Sequence, residues 1–271
     1  MPRPRLSIVV PCRNDVRLER ALRTARHKEV ETIVVLNDAT TAVRAIAVKE
    51  ADHVVEVAER NLALARQAGI DAAAAESVMF LDSDCWVAPN TVNEVLRALE
   101  GAEVVRPKLH YMSRNAGERL VARVRQHTTV DTDLPLMPLA MRKEIESMIG
   151  GYFFDLRLAW GEDWDLAARI TKAGISVIRV GSPGIFHDPL SIWADLGSAR
   201  RIGLGRYLQC RAELLPGRSL IRDLRFVGEG RTFRRLRASH GIAAAVYHMF
   251  GWRLAYKWGY HMSRLSAASI S

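Results

Sequence analysis

Apolar positions along the chain fall into short unbroken runs, separated by stretches in which they recur with a helical period. Leu6 to Val10 reads as a buried strand, and Leu18, Ala21, Leu22 and Ala25 then recur at the spacing of one helix face. Thr32 to Leu36 is a second apolar run, followed by Val43, Ile46 and Ala47 at helical spacing. Val54 to Val57 supplies a third strand, Leu64 to Ala75 an alanine-rich helix, and Val78 to Leu81 a fourth strand ending in Asp82-Ser83-Asp84. Pro89 opens a helix with Val92, Val95, Leu96 and Leu99 inward, and Val104-Val105 follows as strand. After Pro107 the period weakens through Thr132, where helix and loop readings compete. It returns from Trp160 to Gly174, where Asp163 starts a helix with Leu166, Ala167 and Ile170 inward, and Val177 to Val180 reads as strand. Beyond Pro189 the pattern is helical, basic and interrupted by glycine.

Continuous apolar strands alternating with amphipathic helices predict an α/β fold, a mostly parallel sheet covered on both faces. Ligands of such sheets sit beyond the carboxyl ends of the strands. Three polar clusters fall there: Arg13-Asn14-Asp15, Asn37-Asp38 and Asp82-Ser83-Asp84. They are expected to converge on one crevice.

A length of 271 residues fits one α/β domain, residues 1–190, with a C-terminal extension over 191–271. The net charge of +9 is concentrated late, with 14 Lys/Arg against 3 Asp/Glu from Leu196 to Ser271. Such an excess implies an anionic neighbour, phospholipid or nucleic acid. Cys12, Cys85 and Cys210 have neither metal-ligand spacing nor an even count, which reads as a reducing cytoplasm. The apolar run near the N-terminus is too short for a signal peptide, and no apolar stretch approaches the ~20 residues of a membrane span.

Asp82 and Asp84 flank one residue at a strand end, so in extended geometry both point to the same side and can reach one hydrated cation. Carboxylate oxygens suit Mg²⁺ or Mn²⁺, which in turn bind phosphate oxygens. The plain alternative is a polar strand end or a helix cap.

Five ordered blocks decide between these readings. Ser7 to Asn14 (SIVVPCRN), Thr32 to Asp38 (TIVVLND), Asn61 to Ile70 (NLALARQAGI), Phe80 to Asp84 (FLDSD) and Gly161 to Arg169 (GEDWDLAAR) resemble the family 2 glycosyltransferases. The resemblance spans roughly residues 5 to 190 and implies a GT-A fold, an inverting mechanism and a nucleotide-sugar donor, UDP-sugar by default. It implies that Pro11, Arg13, Asn14 and Asp38 lie by the nucleotide, that Arg66 helps to hold it, and that Asp82 with Ser83 approaches the ribose. It assigns Asp84 to the metal, with Asp82 able to join it and His187, after a strand, touching metal or diphosphate. Glu162 and Asp163 match the acidic pair beside the acceptor, with Asp163 the general base. The rival readings are an N-terminal cap for Asp163, a structural hydrogen bond for His187, and core packing for Trp160, which is otherwise a stacking surface for the acceptor.

Asn37, Ala63 and Gln67 depart from the residues usual in the family, which leaves GDP and dTDP donors open. A sugar nucleotidyltransferase would carry a glycine-rich loop after the first strand, and Pro11 to Asp15 contains no glycine. A non-catalytic nucleotide-sugar-binding protein would not need both Asp84 and Asp163. In the extension, Tyr247, Phe250, Trp252, Tyr256, Trp258 and Tyr260 are interleaved with Arg253, Lys257 and Arg264. That mixture suits the headgroup level of a membrane, as at its inner face, and equally suits packing against the catalytic domain. Single-stranded nucleic acid is disfavoured because an acidic crevice repels a polyanion.

Overall fold

The structure is a computed structural model that describes residues 3–132, 134–214 and 230–268. The first strands and helices follow the alternation of the sequence: β1 (Leu6–Cys12), α1 (Leu18–Ala25), β2 (Val30–Asn37), α2 (Thr41–Glu50), β3 (His53–Val57), α3 (Leu62–Ala72) and β4 (Ser77–Phe80). Next come β5 (Cys85–Val87), α4 (Thr91–Leu99), β6 (Val104–Tyr111), α5 (Ala116–Arg125), β7 (Leu139–Arg142), α6 (Glu162–Lys172) and β8 (Val177–His187). Among the described residues, eight strands form one sheet in the order β3-β2-β1-β4-β7-β6-β8-β5.

The half of the sheet read from the sequence is parallel: β1 pairs with β2 and β4, and β2 with β3. Beyond β4 the ladder reverses, with β7 antiparallel to both β4 and β6, and β5 antiparallel to β8. The sheet is therefore mixed, and helices cover the parallel half as expected of a GT-A fold. The central apolar runs are buried: Leu6, Ile8, Val9 and Val10 of β1 and Ile33, Val34 and Val35 of β2 are fully enclosed, whereas Val54, Val55 and Val57 of the edge strand β3 are half-buried. The α3 helix lies unusually close to this layer. A Cβ on Gly69 would stand 2.2 Å from Val9 Cγ1, so only a hydrogen fits between helix and strand.

By contacts the chain divides into two compact units, Met1–His110 with Asp133–Asp188, and Tyr111–Thr132 with Pro189–Ser271. The second unit is helical: α5, then α7 (Ile192–Arg211), α8 (Gly230–His240), α9 (Ile242–Val246), a π turn (Tyr247–Trp252) and α10 (Arg253–Ala268). The stretch in which helix and loop readings competed thus contains α5, capped by Asn115, whose side chain accepts from Glu118 N.

Helices α7 and α10 touch backbone to backbone. A Cβ on Gly203 would stand 2.0 Å from the Tyr256 carbonyl oxygen, and one on Gly259 equally close to that of Arg200. A buried polar knot holds the unit elsewhere: Asp195 accepts from Arg125 Nε at 2.5 Å and from the Tyr247 hydroxyl at 2.6 Å. The six aromatic residues of the extension divide. Tyr260 is buried, Tyr247 is tied to Asp195, and Trp252 stacks between His248 and Tyr256, whereas Phe250 and Trp258 are exposed.

The closeness at Gly69 gives a direct test. Gly69→Leu forces β1 and α3 apart and is expected to cost about 1–3 kcal/mol or more of folding stability, measured by urea unfolding.

Candidate active site

Because β1, β2 and β4 run parallel, their carboxyl ends share one edge of the sheet. Cys12 to Asp15, Asn37-Asp38 and Leu81 to Asp84 all leave the sheet there. The antiparallel pairing of β5 with β8 sets Cys85 opposite His187 and brings the end of β8 to the same edge.

Asp84 is the centre of one group of side chains. His187 Nε2 lies 3.4 Å from its Oδ2, and Arg17 Nη2 lies 3.7 Å from the same oxygen. His187 Nδ1 is 2.6 Å from the carbonyl oxygen of Asp188, which can only accept, so Nδ1 carries a hydrogen and Nε2 is the ring nitrogen turned to Asp84. In the neutral ring, Nε2 and the Asp84 oxygen would be two donors for a cation placed between them. Burial raises the Asp84 carboxyl above its ordinary range; His187 opposes the rise and Asp82 adds to it.

Arg17 also grips the Asp15 carboxylate at 2.6 Å and, at 3.3 Å, that of Asp188. Burial pushes Asp15 up, but the Arg17 bonds outweigh it and its pKa is lowered. Arg20 bonds Asp188 at 2.5 Å while its guanidinium lies over the Trp86 ring at 3.9 Å. Sequence reading missed Arg17, Arg20 and Asp188; their only trace is that Arg17 and Arg20 share a helix face just after the first polar cluster.

Arg66 organises the second group. Asn61 caps α3 by accepting from Leu64 N, and its Nδ2 donates to the Leu156 carbonyl, pinning the start of the helix to the loop that leads to α6. One turn on, the buried guanidinium of Arg66 lies about equally far from the rings of Phe80 and Phe154, 5.9 Å and 6.0 Å from their centroids, while the rings themselves meet edge to face. Its Nη1 donates to Glu162 at 2.6 Å, and its Nη2 to Asp82 at 3.4 Å. Arg66 is a link between two acidic clusters that lie far apart in the chain.

Glu162 is buried at the first position of α6 and its pKa is raised to about 8; burial drives the rise, Arg66 opposes it and Asp163 adds to it. Burial likewise raises Asp163, against Arg66 and the Trp164 amide. Asp163 is not the helix cap. Gly161 holds that position in a left-handed conformation, and Asp163 Oδ1 accepts from Trp164 N at 2.9 Å.

The remaining sequence candidates lie around these groups. Asp38, at φ 53°, is held by Arg60 at 2.7 Å and Arg13 at 3.4 Å. Asn14 is exposed, while Pro11, Ser83 and Trp160 are half-buried. Asp82 is 49% exposed and turns to Arg66. Among the described residues, ligand atoms of Asp84, Cys85 and His187 lie within 4.8 Å of one another. Burial, with Asp82 and Asp84 adding to it, holds the Cys85 thiol protonated, so the oxygen of Asp84 and the nitrogen of His187 are the fitting donors. A cavity of about 810 Å³ lined by Arg5, Glu76 and Lys143 opens at the opposite, amino end of the strands. There Arg5 is already paired with Glu29 and Glu100.

Residues 7–153 match the model of glycosyl transferase family 2. The chain belongs to that family. Curated proteins yield no match. Among solved structures, the glycosyltransferase resembles the crystal structure of S. aureus TarS at a TM-score of 0.53 and 13% identity, over 94% of this chain and 55% of that one. A crystal structure of TarS 1-349 matches at 0.52 and 12% identity, over 97% and 92% respectively. The chain thus spans about half the length of the longer TarS. At such identity these likenesses show the fold, GT-A.

The buried cluster makes folding depend on pH. Glu162 binds its proton more tightly folded than unfolded, so between its ordinary value of 4.5 and about 8 the folded state carries more protons and stability falls as pH rises. Glu162→Gln is expected to show a shallower fall in melting temperature from pH 5 to pH 8 than the parent chain. Arg66→Leu, which strands Glu162 without its cation, is expected to cost about 3–5 kcal/mol.

Proposed function

We propose that the enzyme transfers a hexosyl or N-acetylhexosaminyl unit from a nucleoside diphosphate sugar, UDP-sugar by default, to an acceptor hydroxyl, with a divalent metal and inversion at the anomeric carbon. One observation carries the reading: Arg66 ties Asp82, at the tip of the strand that leads to Asp84, to the Glu162-Asp163 pair at the head of α6. Donor-binding and acceptor-activating carboxylates then face one cleft, as a single displacement requires.

Asp84 and His187 would hold the metal, Mn²⁺ or Mg²⁺, and the imidazole nitrogen favours Mn²⁺. When bound, such an ion supplies Lewis acidity toward the departing diphosphate. Asp82 and Ser83 stand at the ribose, with Pro11, Arg13, Asn14 and Asp38 toward the base. Arg66, buried and without freedom to swing, fixes both Asp82 and Glu162. Trp160 lies in the segment before α6, where an acceptor ring would stack.

Asp163 takes the proton of the acceptor hydroxyl as its oxygen attacks. An ordinary carboxylate is a weak base for that task. Burial, opposed by Arg66 and helped by Asp82, raises its proton affinity above that of an ordinary carboxylate. Glu162 shares the Arg66 guanidinium with Asp82 and so helps to place it.

Asp163→Asn keeps the shape of the side chain and removes the base. It is expected to bind donor as the parent does and to lose on the order of 10²–10⁴-fold in transfer rate; an unchanged rate removes Asp163 from the mechanism. Asp84→Ala is expected to abolish the enhancement of donor binding by Mn²⁺ in calorimetry. Equal affinity of the parent chain with and without Mn²⁺ would refute the assigned ligand.

A further inference from the structure

A surface helix is ordinarily apolar where it packs and polar where it meets water. The α9–α10 segment breaks this rule. Ala244, Ala245, Met249, Lys257 and Tyr260 are buried, yet the outer face carries Ile242, Val246, Phe250, Leu254, Trp258 and Leu265, each 43% to 63% exposed. On a regular helix a spacing of four drifts by roughly 40° per step, which would wind this row around the axis. The π turn at Tyr247–Trp252 accommodates about one extra residue and sets the row back by roughly 100°, so the residues on both sides of it share one face. Trp193, near the start of α7 in the same unit, is 82% exposed.

The charge of the unit identifies what lies against this face. From Gly230 to Ala268 there are 7 Lys/Arg and no Asp or Glu. Arg231, Arg234, Arg235 and Arg237 on α8 and Arg264 on α10 are exposed. A second copy would bring like charge against like charge, whereas an anionic surface complements the basic excess. Among the described residues no helix is long and apolar enough to cross a membrane.

We propose that the exposed row of α9–α10 is a docking surface for an anionic lipid bilayer, its apolar residues entering the headgroup level while the arginines of α8 and α10 meet lipid phosphates. This adds a partner to the proposed transferase, and it does not depend on donor or metal. The half-buried aromatics Trp252 and Tyr256 serve the interior of the unit, so Phe250 and Trp258 are the rings that reach lipid.

The test is co-sedimentation of the full chain with vesicles of phosphatidylcholine alone and of phosphatidylcholine with phosphatidylglycerol, at physiological ionic strength. Binding is expected only to the mixed vesicles and is expected to fall by about tenfold or more in the double variant Leu254→Gln, Trp258→Gln. Both positions are exposed, so the melting temperature should hold; were it to drop, Ile242→Gln with Leu265→Gln makes the same comparison. Undiminished binding of the variants overturns the proposal. So does self-association without lipid that the variants abolish, because the face then belongs to a second copy.

Discussion

One buried cation holds the proposed reaction centre in shape. Removing the Arg66 guanidinium from water is costly, and the chain offsets that cost only by turning Glu162 and Asp82 onto it from different parts of the fold. Each acid in turn needs the arginine, since Glu162 alone would be an unpaired buried charge. The strand tip after β4 and the first turn of α6 are therefore not independently placed. They are fixed by the same group, on a helix that Asn61 and Gly69 hold tightly to the sheet.

Excess acid around that cation has a chemical result. Glu162 and Asp163 are both buried beside one guanidinium, and burial outweighs it, so both bind protons more tightly than isolated carboxylates do. The Asp84 group is balanced differently. There two guanidiniums, Arg17 and Arg20, meet Asp15, Asp84 and Asp188, and the salt bridges are shared among them.

Much of the parallel half was legible because each strand is an unbroken apolar run and each helix repeats its buried face. The polar strand ends were legible for the same reason: after Val10, Leu36 and Leu81 the apolar pattern stops at once. In the antiparallel half the starts of β6 and β8 were legible as strands, but the reversal was not, since β7 is only Leu139–Arg142 and nothing in four residues distinguishes a strand that reverses the ladder. Arg17 and Asp188 were invisible as a pair because 171 residues separate them. The extension gave up its composition but not its orientation, because the π turn changes which residues share a face.

The pairing of Cys85 with His187 across β5 and β8 fixes the imidazole through backbone hydrogen bonds alone. A slip of one residue would send it to the far side of the sheet, so the ladder tolerates no intermediate placement. A histidine that side-chain packing alone would leave free to turn is thus committed to the Asp84 side by main-chain pairing.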